Sequence, residues 1–173
     1  MPLLKIVHYP DPLLLEVGKP VAEQDFGPEL EQLVANMFET MYSAGGVGLA
    51  APQVGVSKRL FVMDCSGREG PSKKVAIFNP EILTVEGEQY GEEGCLSFPG
   101  IITKVKREMR TVVRFQDVKG DEQELDLDEL QARCVLHETD HCDGIVFLDR
   151  MSALKREMAK RKIKRFRHVG EWV

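Results

Sequence analysis

Long apolar runs are missing from this 173-residue chain. None approaches the roughly 20 consecutive apolar residues of a bilayer-spanning helix, so no transmembrane segment is expected. The start, Met1-Pro2-Leu3-Leu4-Lys5-Ile6-Val7, has neither an extended apolar region nor a small-residue cleavage site, so no secretory signal is expected either. Cysteine is sparse. Cys65, Cys95, Cys134 and Cys142 have no close-paired spacing, which argues against a disulfide framework or a structural zinc ribbon. Low-complexity tracts and repeat periods are also absent, which excludes solenoids. The 43% of hydrophobic residues is ordinary for a globular protein, and the length suits one compact core. A single domain over residues 1–173, in the cytoplasm, is the expectation.

The run His137-Glu138-Thr139-Asp140-His141 carries the chemistry. On a helix, positions i and i+4 lie one above the other, so both imidazoles reach one metal ion, and Glu138 flanks the same site as a base for water. By itself the run is also compatible with a polar helix face. Residues 126–144 are bounded like a helix, with Asp126 as N-cap, Glu129 three residues on and Gly144 as the stop. A hydrolytic site needs a third protein ligand, and no acid or histidine downstream of His141 has a suitable spacing. Cysteine is the next side chain to consider. Cys134 is seven residues from His141, about 10 Å along a helix axis, and Cys142 points roughly 100° away from it. Cys65 ends a strand-like segment and reads as a buried thiol. Cys95, in Glu92-Glu93-Gly94-Cys95-Leu96-Ser97, remains.

The residues around these motifs alternate or are β-branched at 75–78, 82–85, 102–105 and 111–115, with Lys119-Gly120-Asp121 as a hairpin turn before residues 122–127. Earlier, Leu30, Leu33, Val34, Met37, Phe38 and Met41 recur at helical spacing from Pro28, and Gly45 ends the pattern. Strands flanked by helices predict an α+β fold: antiparallel β-sheets around a central metal-binding helix, with a C-terminal helix at about 152–168. That last segment is basic. Residues 152–173 hold eight Lys or Arg against two Glu, while the rest of the chain holds fifteen bases against twenty-six acids. A solvated helix face supported by i,i+4 pairs is its simplest reading.

A glycine-marked segment, Gly46-Val47-Gly48-Leu49-Ala50-Ala51-Pro52-Gln53, follows the first helix, and the Gln53 amide is suited to donate to a developing oxyanion. Together, residues 46–53, Glu93-Gly-Cys-Leu-Ser97 and His137-Glu-Thr-Asp-His141 resemble the peptide deformylase family in order and separation. Leu136 and Cys142 depart from the family pattern, which often has glutamine and leucine there. The resemblance implies that Cys95, His137 and His141 bind one divalent ion. It implies that Glu138 is the general acid and base, and that Gln53 and the backbone N–H of Leu96 polarise a formyl carbonyl. It places Gly46, Val47, Gly48, Glu93 and Gly94 beside the substrate, with Arg133 and Cys134, one turn before the ligands, expected to line the pocket. Iron(II) is the expected ion, with zinc, nickel and cobalt as alternatives. The implied substrate is the formyl-methionine end of nascent chains, released with formate; the basic helix could contact the ribosome, and no DNA or membrane partner is expected. Asp140 and Arg107 are expected to pair across helix and sheet. Rival readings are a zinc endopeptidase, a cysteine hydrolase with Cys95 as nucleophile, and a silent metal-binding protein.

Overall fold

The computed structural model describes residues 3–66 and 71–170; the Met1-Pro2 start and the Glu171-Trp172-Val173 end of the basic tail lie outside the described residues. Helix α1 (Pro28–Ser43) starts at a proline, whose fixed φ suits a first turn and whose missing N–H would have no partner there anyway. Its stripe of Leu30, Val34, Met37, Phe38 and Met41 is buried. Gly45, at φ +73°, then turns the chain away in the left-handed region that favours glycine.

Five antiparallel strands form one sheet in the order β1 (Gly48–Ala50), β2 (Leu60–Met63), β3 (Val75–Glu86), β6 (Arg110–Gln116) and β7 (Glu122–Asp128). The hairpin of β4 (Gln89–Gly94) and β5 (Ile102–Arg107) forms the second sheet. Residues 75–78 and 82–85, expected as two strands, are one. Asn79-Pro80 interrupts the pattern in sequence because proline donates no ladder hydrogen bond. The chain instead bulges: the register against β6 slips between Phe78 and Glu81 and again between Ile82 and Thr84. The Asn79 side chain replaces part of the ladder, accepting from the Val21 N–H at 2.8 Å and donating to Val21 O at 2.9 Å. Strands β1 and β4, short and glycine-bearing, had no alternation to reveal them.

Helix α2 (Glu129–Cys142) starts three residues later than the expected cap at Asp126. Asp126 stays in β7, opposite Val112, with its carboxylate accepting from Arg110 Nε at 2.8 Å. Strand passes to helix with no loop between them because Glu129 takes φ +50°, and Asp128 occupies the cap without a side-chain bond. Gly144, at φ +73°, follows the end of the helix as expected. Cys134, Val135 and Cys142 of α2 pack with Phe61, Met63, Ile77, Val113, Phe115 and Leu127 of the five-stranded sheet. Each large side chain fully buried there contributes about 1.5–3 kcal/mol. Another face of α2 turns toward the β4–β5 hairpin. Helix α2 is therefore held between the two sheets.

Helix α3 (Ala153–His168) has Ser152 as its cap, with Oγ accepting from the Lys155 N–H at 3.3 Å, in agreement with the expected 152–168. Ala159 and Ile163 are buried with Phe98, Phe147 and Leu148. No helix among the described residues is long and apolar enough to cross a membrane.

Candidate metal centre

Cys95 directly follows β4, and its Sγ lies 3.4 Å from His141 Nε2. The ligating atoms of Cys95, His137 and His141 all fall within 4.8 Å of one another. In a tetrahedral site with metal–sulfur at about 2.3 Å and metal–nitrogen at about 2.0–2.1 Å, donor atoms stand roughly 3.3–3.6 Å apart. The three side chains need little adjustment to meet that spacing. Glu138 closes the site: its Oε1 is 3.9 Å from His137 Nε2, and its buried Oε2 has no hydrogen-bond partner among the described residues. Burial pushes the Glu138 carboxyl up to about 7. Leaving a buried carboxylate oxygen unpartnered is costly, so the cluster suits an added cation and its water. The donor set and the orphaned oxygen both fit one divalent ion.

The charges beneath the ligands come from a buried network that crosses from hairpin to helix. Glu93 Oε1 accepts from His137 Nδ1 at 2.7 Å, which leaves Nε2 free to face the ion. Arg107 grips Glu93 through Nε and Nη2 at 2.8 and 2.9 Å and donates from Nη1 to Asp140 Oδ2 at 2.7 Å. The expected Asp140–Arg107 pair is thus present, and Arg150 joins it by donating to both Asp140 oxygens at 3.0 and 2.9 Å. Burial works against charge on Glu93, but donors from His137 and Arg107 hold its carboxyl well below the usual carboxylate range. Burial also opposes a charge on His137, yet its bonds to Cys95 and Glu93 raise its proton affinity well above the ordinary imidazole value. The same negative field that favours a proton on Nε2 favours a metal cation there.

The site opens into a cavity of about 510 Å³. Gly46, Val47 and Gly48 form part of its wall, with Glu93, Gly94, Leu96, Arg133 and Cys134 elsewhere along it, so the structure brings every sequence-derived pocket residue to one place. Two of them also pair with each other in the wall of the cavity. The Glu93 carboxylate is committed to His137, Arg107 and Arg133, and Arg133 Nη1 donates to Glu93 Oε2 at 2.6 Å and to Val105 O at 3.0 Å. Gln53 is oriented unambiguously. Its Oε1 accepts from the Ala50 N–H at 2.9 Å, so its Nε2 points inward, 3.5 Å from Cys95 Sγ and 3.2 Å from Ser97 Oγ.

A sequence model described as polypeptide deformylase matches residues 3–157. The chain belongs to the polypeptide deformylase family. It is 50% identical to a peptide deformylase of Acidobacterium capsulatum over 172 residues, covering 99% of this chain and 100% of that one. A relative from Thermodesulfovibrio yellowstonii is 47% identical over 164 residues, covering 95% and 98% of the two chains. The crystal structure of a peptide deformylase from Legionella pneumophila superposes with a TM-score of 0.89 at 43% identity, covering 98% of both chains. That of an Ehrlichia chaffeensis peptide deformylase in complex with actinonin does so at 0.86, with 38% identity and 95% and 98% coverage. Deformylases are metal-dependent hydrolases that remove the N-formyl group from nascent peptides.

Within the deformylase site, sequence reasoning missed Glu93's part in orienting His137. The signal was available: a metal-binding histidine usually donates its second nitrogen to a carboxylate, and Glu93 lies two residues from a ligand. Gly48, expected beside the substrate, also stands against the proposed acid–base residue. A methyl group at Gly48 would lie 2.8 Å from Glu138 Oε1 and 2.9 Å from Cys134 Sγ, too close for either to stay in place. Gly48→Ala should therefore displace the Glu138 carboxylate and lower turnover by about tenfold or more, since shifts near 1 Å at reacting groups cost up to roughly 100-fold. Steady-state kinetics beside metal content measure this; unchanged turnover would mean that Glu138 has room to spare.

Proposed function

We propose that Cys95, His137 and His141 hold one divalent ion, with iron(II) as the resident metal, and that Glu138, Gln53 and the Leu96 backbone N–H act on the N-formyl amide of peptides ending in formyl-methionine. The observation that carries this reading is the convergence of the three ligand atoms within 4.8 Å, with Glu138 against them. A bound ion supplies Lewis-acid polarisation and a more acidic water near neutral pH. Gln53 Nε2 and the Leu96 N–H donate to the carbonyl oxygen as it gains charge, which stabilises the tetrahedral state more than the flat amide. Glu138 takes the proton from the attacking water and delivers it to the leaving amine, freeing formate and the peptide's N-terminus. Leu96, Phe98 and Leu130 give the cavity an apolar portion suited to methionine's flexible side chain.

Residues 1–173 then act as one catalytic domain in the cytoplasm. The basic side of α3, with Arg161, Lys164 and Arg165, is free to meet ribosomal phosphates through salt-sensitive contacts. Incubation with a formyl-methionyl tripeptide, with formate as the product measured, tests the activity. Chelation should abolish it and iron(II) should restore it; cleavage of an internal bond in a formyl-free peptide would favour the endopeptidase reading instead.

Cys95→Ser separates ligand from nucleophile. Serine's hydroxyl ionises far less readily than a thiol near neutral pH, so the variant should lose metal, whereas Cys142→Ser should keep it. Metal content per chain after gel filtration is the measurement, and a fully metal-loaded but inactive Cys95→Ser would point to a cysteine nucleophile.

A further inference from the structure

Ala44, Gly45, Gly46, Val47 and Gly48 form a strip of cavity wall that runs from the end of α1 into β1. It lies tightly against the metal loop: a methyl group at Gly46 would stand 2.8 Å from Leu96 Cδ1. At its start, the Gly45 N–H donates to Tyr42 O at 3.1 Å and the Gly46 N–H to Met41 O at 3.0 Å. At its far end Val47 O accepts from the Asp64 N–H at 2.8 Å, one step beyond the pairing of Gly48 with Met63. Asp64 also reaches back to the near end. Its Oδ2 accepts from the Tyr42 hydroxyl at 2.7 Å, and Tyr42 is in the last turn of α1. The same carboxylate accepts from the Ser66 and Lys73 N–H groups at 3.1 and 3.2 Å and from the Ser66 and Ser72 hydroxyls at 2.7 and 3.0 Å. Asp64 is therefore anchored on the sheet side and bonded to both ends of the strip.

We propose that Tyr42 and Asp64 are positioning residues for substrate binding: their side-chain bond closes residues 43–47 into a loop of fixed shape, which sets the wall that the formyl-peptide packs against. The effect on substrate rests on the cavity being the site of the proposed function; the clasp itself does not.

The physical argument is one of prepaid order. A short segment pinned at both ends has fewer conformations to lose when a ligand settles on it. With the Tyr42 end released, the strip samples shapes that do not fit the substrate, and apparent affinity falls with the fraction that does. The reacting groups are carried elsewhere. Cys95 follows β4, the histidines and Glu138 belong to α2, and Gly48 beside Glu138 stays paired with Met63. Loosening the strip therefore weakens binding of substrate and transition state alike, which raises KM and spares kcat.

Tyr42→Phe is the test, because it deletes the hydroxyl and keeps the ring stacked on Phe38, 6.1 Å away between centroids. Metal-loaded enzyme is assayed by formate release from a formyl-methionyl tripeptide. Amide hydrogen exchange over residues 43–48 is followed by mass spectrometry on the same preparation. KM should rise about three- to tenfold, the worth of one typical intramolecular hydrogen bond. Metal content, melting temperature and kcat should hold, while Gly45 and Gly46 exchange faster and β2 and β3 do not. Asp64→Ala should show the same pattern more strongly, and the double variant should be no worse than Asp64→Ala, since one bond is lost only once. Should Asp64→Ala fail to fold, Tyr42→Phe decides alone. Unchanged exchange at Gly45 and Gly46 would overturn the clasp, and additive effects in the double variant would overturn it as a pair. Faster exchange with unchanged KM would overturn the positioning role, as would a fall in kcat in step with metal content or melting temperature. If the unaltered enzyme released no formate, the proposed function would fail, whereas faster exchange in Tyr42→Phe would still establish the clasp.

Discussion

Glu138→Gln should lower formyl-peptide hydrolysis by about 10²- to 10⁴-fold, the usual worth of a positioned acid–base group, while metal content stays at the level of the unaltered protein. The amide nearly matches the carboxylate in volume, so the wall against Gly48 and Cys134 keeps its packing. What it loses is the ability to accept a proton. The carboxylate is well placed for that exchange because burial already holds its carboxyl near 7, where taking and returning a proton are both easy. Neither oxygen is tied down by a strong partner: Oε2 has none among the described residues, and Oε1 is only in loose contact with His137 Nε2 at 3.9 Å. A variant with full metal and near-normal kcat would remove Glu138 from the reaction. Loss of the ion together with activity would make Glu138 a ligand or a support for one.

Arg107→Leu should be the most destabilising single change outside the apolar core, costing about 3 kcal/mol. The guanidinium is 4% exposed and is shared between Glu93, 5% exposed, and Asp140, 10% exposed. Its removal leaves two buried carboxylates short of donors, although Arg133 still reaches Glu93 and Arg150 still reaches Asp140. That residual support is why the lower end of the range for a broken buried pair is expected. With an m-value of about 2 kcal/mol/M, the urea midpoint should fall by roughly 1–2 M. The comparison must be made at matched metal saturation, because an ion that binds only the folded chain adds stability of its own. Arg110→Leu is the control. Its partners Asp126 and Glu86 are at the surface, so water and salt replace them with no measurable change in midpoint. Equal effects of the two substitutions would show that the inner network is no stronger than a surface pair.

The site was legible because its signals are local. His137 and His141 share a helix face by spacing alone, and Cys95 remained once helix geometry had removed Cys134 and Cys142. Helix α1 was legible for a similar reason: five of its six spaced apolar residues are buried, and a proline and a glycine bound it. Boundaries that depend on partners were not legible. Asp126 has the chemistry of a cap, but pairing with β6 holds it in a strand; Asn79-Pro80 looks like a break, but a bulge carries β3 through it.

Local spacing therefore determined the ligand pair, the neighbouring acid, the main helices and the α+β order of elements, because each depends on residues within a turn or two of one another. Tertiary structure decided the rest. Only the approach of the β4–β5 hairpin to α2 joins Cys95 to the histidines, sets Glu93 behind His137 at 2.7 Å, and links both through Arg107 to Asp140. Only the closeness of β1 to α2 makes a methyl group at Gly48 incompatible with the Glu138 carboxylate. Such contacts join segments about thirty to ninety residues apart, and no periodicity encodes them: they arise when two sheets enclose one helix and buried charges must find their partners inside it.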